Sequence, residues 1–273
     1  MEQGVAVDDA IHDDDFDDCD ALLDGRVGEG WQSFFSNSDV NVRRRVTQGS
    51  SLTEFRLDAR VNFPVQLYFE MLTCLEYRKH HDKFTVEICK VQPGALDGTD
   101  TEAIYWRLRL PLLADRDYVY LRRITYEKAT QTYRIVSLAA SHSFRFRGQE
   151  TGVVRVERYM SKAVLRANGP CECEYHLLAA QDLKGSVPAM LVDLFASKGL
   201  STMVSGHSTA CGAFPAWRAG YRGELGRPRV TRHRGYSERR EEEEEEARAH
   251  TSSDQASSTE DEGEEEDRGS EGT

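Results

Sequence analysis

The chain has 273 residues, enough for one large domain or two small ones, and its formal net charge is −12. The acidic excess sits at the two ends, because residues 1–24 hold ten acidic side chains and no Lys or Arg, and residues 241–273 hold 15 acidic side chains against two Arg. Residues 25–217 carry 25 basic and 20 acidic side chains, so the acidic total says little about what the middle of the chain binds.

Both ends of the chain are predicted to be disordered. Residues 1–21 and 218–273 combine high charge with few apolar side chains, so they cannot bury enough surface to offset the entropy lost on ordering. The second of these segments is basic over residues 218–240 and acidic over residues 241–273. One globular domain over residues 22–217 remains, which is ample for a single hydrophobic core.

The cysteines and the apolar runs exclude several classes of protein. No Cys-x-x-Cys pair occurs, and Cys171 and Cys173 are too close in sequence for a zinc knuckle. No apolar run is long enough to span a bilayer, and the acidic amino terminus is the opposite of a mitochondrial transit peptide. We therefore expect free thiols in a reducing compartment and a cytoplasmic protein.

In chain order, the first predicted elements are a short helix, strands and a second helix. Residues 20–35 look like an amphipathic helix interrupted by glycines, and residues 41–64 alternate as two or three strands around the Gly49-Ser50-Ser51 turn. Apolar side chains at helical spacing then predict a helix with Pro64 in its first turn. These side chains are Val65, Tyr68, Phe69, Leu72 and Leu75.

The rest of the domain is rich in strands and ends in a helix. Six stretches separated by Gly, Pro, Asp and Asn turns indicate strands: residues 84–91, 104–112, 117–127, 132–141, 152–167 and 171–180. An apolar stripe over residues 186–200, with Ser186 placed to cap it and Pro188 in its first turn, predicts the final helix. This order of elements predicts an α+β fold in which a strongly curved antiparallel sheet wraps around that helix.

The sequence lacks the common motifs of catalysis, metal binding and nucleic-acid recognition. His80-His81 belongs to no metal-spaced cluster and is typical of a solvated helix end. No G-x-S-x-G, phosphate loop or dinucleotide fingerprint occurs. The arginines are spread across strands rather than clustered on one helix, which argues against a nucleic-acid partner.

One stretch, IYWRLRLPLLADRDYVYLRR from Ile104 to Arg123, combines aromatic rings with five arginines. Alternation along its first strand puts Trp106 on one face with Ile104 and Leu108, and Arg107 on the other face. Trp106 therefore faces an apolar interior, and periodicity alone makes it a core side chain.

This stretch resembles the hallmark segment of START domains, the steroidogenic-acute-regulatory-related lipid-transfer family, and in particular its phosphatidylcholine-transfer branch. Three further segments resemble that branch in the same order: EYRKHHDKF (76–84), GVVRVERYMSKAVL (152–165) and LKGSVPAMLVDLFASKGL (183–200). The resemblance covers about residues 22–214. It implies a helix-grip fold, in which a long carboxy-terminal helix closes a curved antiparallel sheet over a lipid tunnel.

The resemblance also implies a lipid-binding site. In that branch an arginine pairs with the lipid phosphate and three aromatic side chains surround the choline; by motif these positions fall on Arg78, Trp106, Tyr118 and Tyr159. A quaternary ammonium has no N–H to donate and is attracted to aromatic faces, whereas a phosphate matches the planar donor fork of arginine. Strict alternation puts Tyr159 on the same face as Arg155 and Glu157, so a bulge or a polar tunnel lining is required there.

The resemblance implies a non-enzymatic carrier of one phosphatidylcholine molecule, without a metal or cofactor. We expect a monomer that binds no nucleic acid, touches membrane surfaces transiently, and opens at the helix over residues 186–200. Three alternatives stay open: a lipid sensor that presents its loaded state to a protein partner, a carrier of phosphatidylethanolamine, ceramide or a sterol, and an enzyme. For an enzyme, His142 is the one candidate acid–base residue.

Overall fold

The computed structural model describes residues 11–26, 28–46, 52–91, 100–140, 151–184 and 200–233. These belong to one compact unit, Met1–His233, whereas the second unit, Arg234–Thr273, lies outside the described residues. His142 and almost all of the helix predicted over residues 186–200 also lie outside them.

Four α-helices and eleven strands make up the described chain. A single 3₁₀ turn (Asp13–Phe16) leads into α1 (Asp17–Leu23), and the later helices are α2 (Val65–Thr73), α3 (Leu75–His81) and α4 (Leu200–Gly220). The strands are β1 (Gln32–Ser36), β2 (Val40–Val46), β3 (Thr53–Val61), β4 (Thr85–Lys90), β5 (Thr101–Leu108), β6 (Asp115–Glu127), β7 (Thr132–Ala139), β8 (Val153–Arg155), β9 (Tyr159–Ala167), β10 (Cys173–Gln181) and β11 (Thr231–Arg232).

All eleven strands join one sheet, in the order β1-β2-β3-β10-β9-β7-β6-β5-β4, with β8 and β11 each paired in parallel to β6. The neighbours along the main path are antiparallel. Helices α2, α3 and α4 pack on one face, which we call the inner face, where Tyr68, Tyr77 and Phe214 meet Leu57 and Ile124 of the sheet. The α+β prediction is therefore confirmed.

The amino-terminal segment covers the other side of the sheet, the outer face. Ile11, Phe16, Cys19 and Leu22 are buried there in one cluster with strand side chains such as Leu121. The prediction of disorder over residues 1–21 is therefore wrong for residues 11–21.

Ion pairs explain why this acidic segment is ordered. The carboxylate of Asp13 lies 2.6 Å from Arg123, that of Asp18 lies 2.8 Å from Lys162, and that of Asp20 lies 2.7 Å from Arg134. The basic partners are more than 100 residues away in sequence. A prediction of disorder from the local composition fails here, because the side chains that neutralise these aspartates come from strands distant in sequence.

The carboxy-terminal segment is ordered further than predicted. Helix α4 continues to Gly220, β11 pairs with β6, and His233 is 7% exposed. The prediction of disorder is therefore wrong for residues 218–233.

Two predicted helices are shorter than the sequence suggested. Gly25, Gly28 and Gly30 have φ angles of 71°, 66° and 86°, which favour glycine, and they lead the chain from α1 into a strand rather than a longer helix. Cys74, which is extended with a ψ angle of 106°, separates α2 from α3.

The strand predicted over residues 152–167 is interrupted. β8 ends at Arg155 and β9 begins at Tyr159, and the backbone N–H of Val156 between them donates to the carbonyl of Asp117 at 2.9 Å. Arg155 donates twice to the Asp117 carboxylate, each time at 2.8 Å. Because of this break, the alternation of inward and outward side chains does not run continuously from β8 into β9. Tyr159 therefore lies on the inner face, although strict alternation from Val154 would place it on the outer face.

The packing of the amino-terminal segment makes a first testable prediction. Phe16 is 1% exposed, so Phe16→Ala should lower the free energy of unfolding by about 3–5 kcal/mol, as measured by urea denaturation. Leu112→Ala is the control, because Leu112 is 91% exposed and its loss should change that free energy by less than about 0.5 kcal/mol. If both variants lowered the free energy of unfolding by less than about 0.5 kcal/mol, the amino-terminal segment would not contribute to the stability of the domain.

Candidate functional site

The four residues of the predicted site come together on the inner face. The guanidinium carbon of Arg78 lies 4.3 Å from the ring centroid of Trp106. The ring of Trp106 is 5.2 Å from that of Tyr118, which in turn is 5.4 Å from that of Tyr159. Four elements, α3, β5, β6 and β9, thus supply one continuous group of aromatic faces and a cation.

Hydrogen bonds hold the indole of Trp106, and a longer ion-pair contact links the same chain of groups to Arg78. Trp106 and Tyr118 are opposite each other in the β5–β6 ladder. The indole N–H of Trp106 donates to the Thr85 hydroxyl at 2.9 Å, and that hydroxyl donates to Asp82 at 2.8 Å. The same carboxylate lies 3.9 Å from Nε of Arg78. Asp82 and Thr85 therefore connect the arginine to the tryptophan, a role that sequence reasoning missed.

One further ring and one amide side chain extend the aromatic group. The ring of Tyr120 lies 5.4 Å from that of Tyr159, and the hydroxyl of Tyr118 donates to the side-chain oxygen of Gln181 at 3.0 Å. Tyr120 could have been found from alternation, because it is two residues after Tyr118 on the same strand face. Gln181 has no local signal, since it is brought there by its pairing with Tyr159 across β9 and β10.

The tyrosines of the site remain neutral. Burial raises the pKa of Tyr118, and burial together with the neighbouring Tyr120 raises the pKa of Tyr159, against an opposing effect of Arg78. Both are therefore uncharged phenols at physiological pH, and their ring faces keep the negative quadrupole that attracts a cation.

A buried ion pair lies beside this group. Arg122 and Glu102 are 2.8 Å apart and each side chain is 6% exposed. Burial would raise the pKa of Glu102, but Arg122 and Lys90 lower it below its ordinary value. The charge of Arg122 is thus compensated within the protein, whereas the 3.9 Å separation of Arg78 from Asp82 leaves the Arg78 guanidinium able to bind a further anion.

Helix α4 places the imidazole of His207 against the inner-face tyrosines. Nδ1 of His207 lies 3.1 Å from the hydroxyl of Tyr68. Burial, together with the neighbouring Arg78 and His81, lowers the pKa of His207 to about 3. This histidine is therefore a neutral hydrogen-bonding group at physiological pH.

The described residues contain no group of three or more His, Cys, Asp or Glu side chains that could hold a metal ion. Within the same part of the chain, no helix has the length and apolar character needed to cross a membrane.

The chain belongs to the START domain family, which it matches over residues 25–216. It is 22% identical to human phosphatidylcholine transfer protein over 192 residues, which cover 68% of this chain and 85% of that protein. It is 26% identical to mouse StAR-related lipid transfer protein 7, mitochondrial, over 140 residues, which cover 50% of this chain and 36% of that protein. The structure of human STARD10 matches with a TM-score of 0.67 at 22% identity, over 78% of this chain and 84% of that one. The helix-grip prediction is therefore confirmed, and the chain is a lipid-binding domain of the lipid-transfer class.

The buried ion pair makes a second testable prediction. Glu102→Gln leaves the charge of Arg122 buried without a carboxylate, so the free energy of unfolding at pH 7 should fall by about 3–5 kcal/mol in denaturant titrations. Asp24→Asn is the matched control, because the Asp24 and Arg26 side chains are 54% and 70% exposed and such pairs contribute about 0–1 kcal/mol.

The pH dependence of stability tests whether the ionised form of Glu102 is the stabilising one. Because the folded-state pKa of Glu102 is lowered, its stabilisation is present above the pKa of the unfolded chain and is lost as the pH falls through the folded-state pKa. The difference between the wild type and Glu102→Gln should therefore shrink as the pH is lowered. A difference that grows on acidification would contradict this assignment.

Proposed function

We propose that this protein binds one phosphatidylcholine molecule and carries it between membranes without altering it chemically. The observation that carries the proposal is the Arg78 guanidinium over Trp106, next to the rings of Tyr118 and Tyr159. A choline phosphate group has an anion and a quaternary ammonium two carbon atoms apart, and this site offers an arginine and aromatic faces side by side.

The head group, rather than the acyl chains, sets the lipid preference. Burying acyl chains is favourable by about 0.8 kcal/mol per methylene, but a bilayer offers nearly the same, so this contribution almost cancels when lipid moves from membrane to protein. A quaternary ammonium desolvated against aromatic faces gains about 2 kcal/mol. A phosphatidylethanolamine head group in the same place would leave its N–H donors facing rings rather than hydrogen-bond acceptors.

A carrier role without bond chemistry is supported by the character of the site. Its described side chains are aromatic rings, a guanidinium, an amide, hydroxyl groups and one carboxylate, that of Asp82, which accepts from the Thr85 hydroxyl and lies 3.9 Å from Arg78. The nearby His207 is neutral and hydrogen-bonded to Tyr68. The candidate acid–base residue of the enzyme hypothesis, His142, lies outside the described residues. His142→Ala should leave lipid binding and transfer unchanged.

We further propose a reducing, cytoplasmic setting and transient contact with membranes. The support for the reducing setting is a set of six free thiols: Cys19, Cys74, Cys89, Cys171, Cys173 and Cys211. Contact with membranes follows from the proposed carrier role, because a carrier must collect and release its lipid there.

The lipid is identified by native mass spectrometry of the protein purified from eukaryotic cells. We expect a one-to-one complex with phosphatidylcholine in the wild type. A bound sterol, ceramide or phosphatidylethanolamine, or no lipid, would contradict the proposal.

Two variants then separate the roles of the cation and the rings when vesicles offer phosphatidylcholine and phosphatidic acid together. Trp106→Leu should lower the preference for phosphatidylcholine over phosphatidic acid about 30-fold, since about 2 kcal/mol of cation–aromatic attraction is lost. Arg78→Met should weaken the binding of both lipids, because both carry the phosphate.

Matched controls come from positions that directly flank strands β1 and β5. Trp31→Leu removes an indole that stacks with Arg45 away from the site, and Arg109→Met removes an arginine whose side chain is 68% exposed. Neither control should change the lipid preference. Loss of preference in the controls equal to that in the site variants would mean that the cluster does not select the head group.

A further inference from the structure

The chain that follows α4 forms an ordered strap, Tyr221–His233, which lies beyond residue 216, where the match to the family ends. The ring of Tyr221 stacks on Trp217 of α4, with the centroids 4.7 Å apart. Leu225 packs against the inner-face core. The strap is thus attached to the helix layer at its beginning.

The middle of the strap is hydrogen-bonded to α3, β4 and β5. The backbone N–H of Gly226 donates to Glu76 at 3.3 Å, and Nζ of Lys90 donates to the carbonyl of Arg227 at 2.8 Å. The N–H of Arg229 donates to the carboxylate of Glu102 at 3.3 Å. That carboxylate is the partner of Arg122, so the strap shares the buried ion pair of the inner face.

The end of the strap pairs with β6. β11 lies parallel to β6, with Thr231 opposite Thr125. It occupies the same edge of β6 as β5, beyond the pair of Thr101 with Arg123 at which β5 begins. The backbone N–H of His233 donates to the carbonyl of Tyr126 at 3.1 Å. The strap therefore adds to the sheet and continues the line of β5 past Thr101.

The side chain of His233 reaches the amino-terminal segment on the outer face. Its Nε2 lies 3.5 Å from the carboxylate of Asp20, and its ring lies 6.2 Å from that of Phe16 in an edge-to-face arrangement. Asp20 also binds Arg134 of the sheet at 2.7 Å. The strap thus begins at a helix of the inner face and ends against the segment that covers the outer face.

We propose that the strap restrains α4 and thereby slows the entry and exit of lipid. A movement that separates the carboxy-terminal end of α4 from the sheet must pull on a segment held at Glu76, Glu102 and β6. Each hydrogen bond that has to break makes such an opening about fivefold rarer. The link to lipid exchange rests on the proposed function, whereas the restraint on α4 does not depend on which lipid is bound.

Two variants of the full-length chain release the strap at different points. His233→Pro removes the N–H that binds Tyr126 and the ring that contacts Phe16 and Asp20. Arg229→Pro removes the N–H that binds Glu102. Val230→Ala is the control, because Val230 lies in the same segment and is 40% exposed. Far-UV circular dichroism establishes that each variant is folded, and either strap variant alone is sufficient.

The first measurement is amide hydrogen exchange over residues 204–220, which reports local unfolding of α4. A helix separated from the sheet loses the packing that stabilises it, so its amides exchange faster. We expect at least about fivefold faster exchange in His233→Pro and Arg229→Pro and a change below about twofold in Val230→Ala. Unchanged α4 exchange in the folded strap variants would overturn the proposal.

The second measurement is the transfer rate of fluorescent phosphatidylcholine between vesicles, which should rise in the same two variants. Faster α4 exchange without faster transfer would overturn the link to lipid exchange. If the wild type transfers no phosphatidylcholine, the proposed function fails, and the hydrogen-exchange result alone decides whether the strap restrains α4.

Discussion

The contact between the guanidinium of Arg78 and the face of Trp106 sets the position of the cation relative to the aromatic rings of the inner face. A guanidinium that lies over an aromatic ring keeps the N–H donors along its edge available to bind an anion. The indole is held in turn by Thr85, whose hydroxyl binds Asp82, and Asp82 approaches Arg78. The cation and the first aromatic face are therefore positioned as one unit, although they come from α3 and β5.

Compensated charges distinguish the structural arginines from Arg78. Within the described residues, Arg122 is paired with Glu102 on the inner face and Arg134 with Asp20 on the outer face, each within 2.8 Å. Arg107 of the β5–β6 hairpin is also compensated, since it lies 2.9 Å from Asp115. Because burying an ion pair costs desolvation of both charges, the net contribution of such a pair to stability is small, whereas removing one partner leaves an uncompensated buried charge.

Local sequence patterns predicted the aromatic and cationic residues of the site but not the side chains that hold them, such as Asp82, Thr85 and Gln181. Alternation put Trp106 on the inner face, and the resemblance to START domains named all four residues that meet there. Alternation failed at Tyr159, because the break between β8 and β9 depends on Asp117 of another strand. The order of the amino-terminal segment and of the strap was missed for the same reason: Asp18 and Asp20 are neutralised by side chains on β7 and β9, and β11 pairs with a strand about 100 residues earlier.

Relative binding of phosphatidylethanolamine, its N-monomethyl and N,N-dimethyl derivatives, and phosphatidylcholine tests the central claim most directly. The four lipids can share one set of acyl chains and one phosphate, and each head group carries one positive charge at neutral pH. If the head group lies against the rings of Trp106, Tyr118 and Tyr159, binding must strengthen with each methyl group, because methylation removes N–H donors and adds surface that the rings can cover. Equal binding of the four lipids, or a preference for the unmethylated head group, would contradict the account.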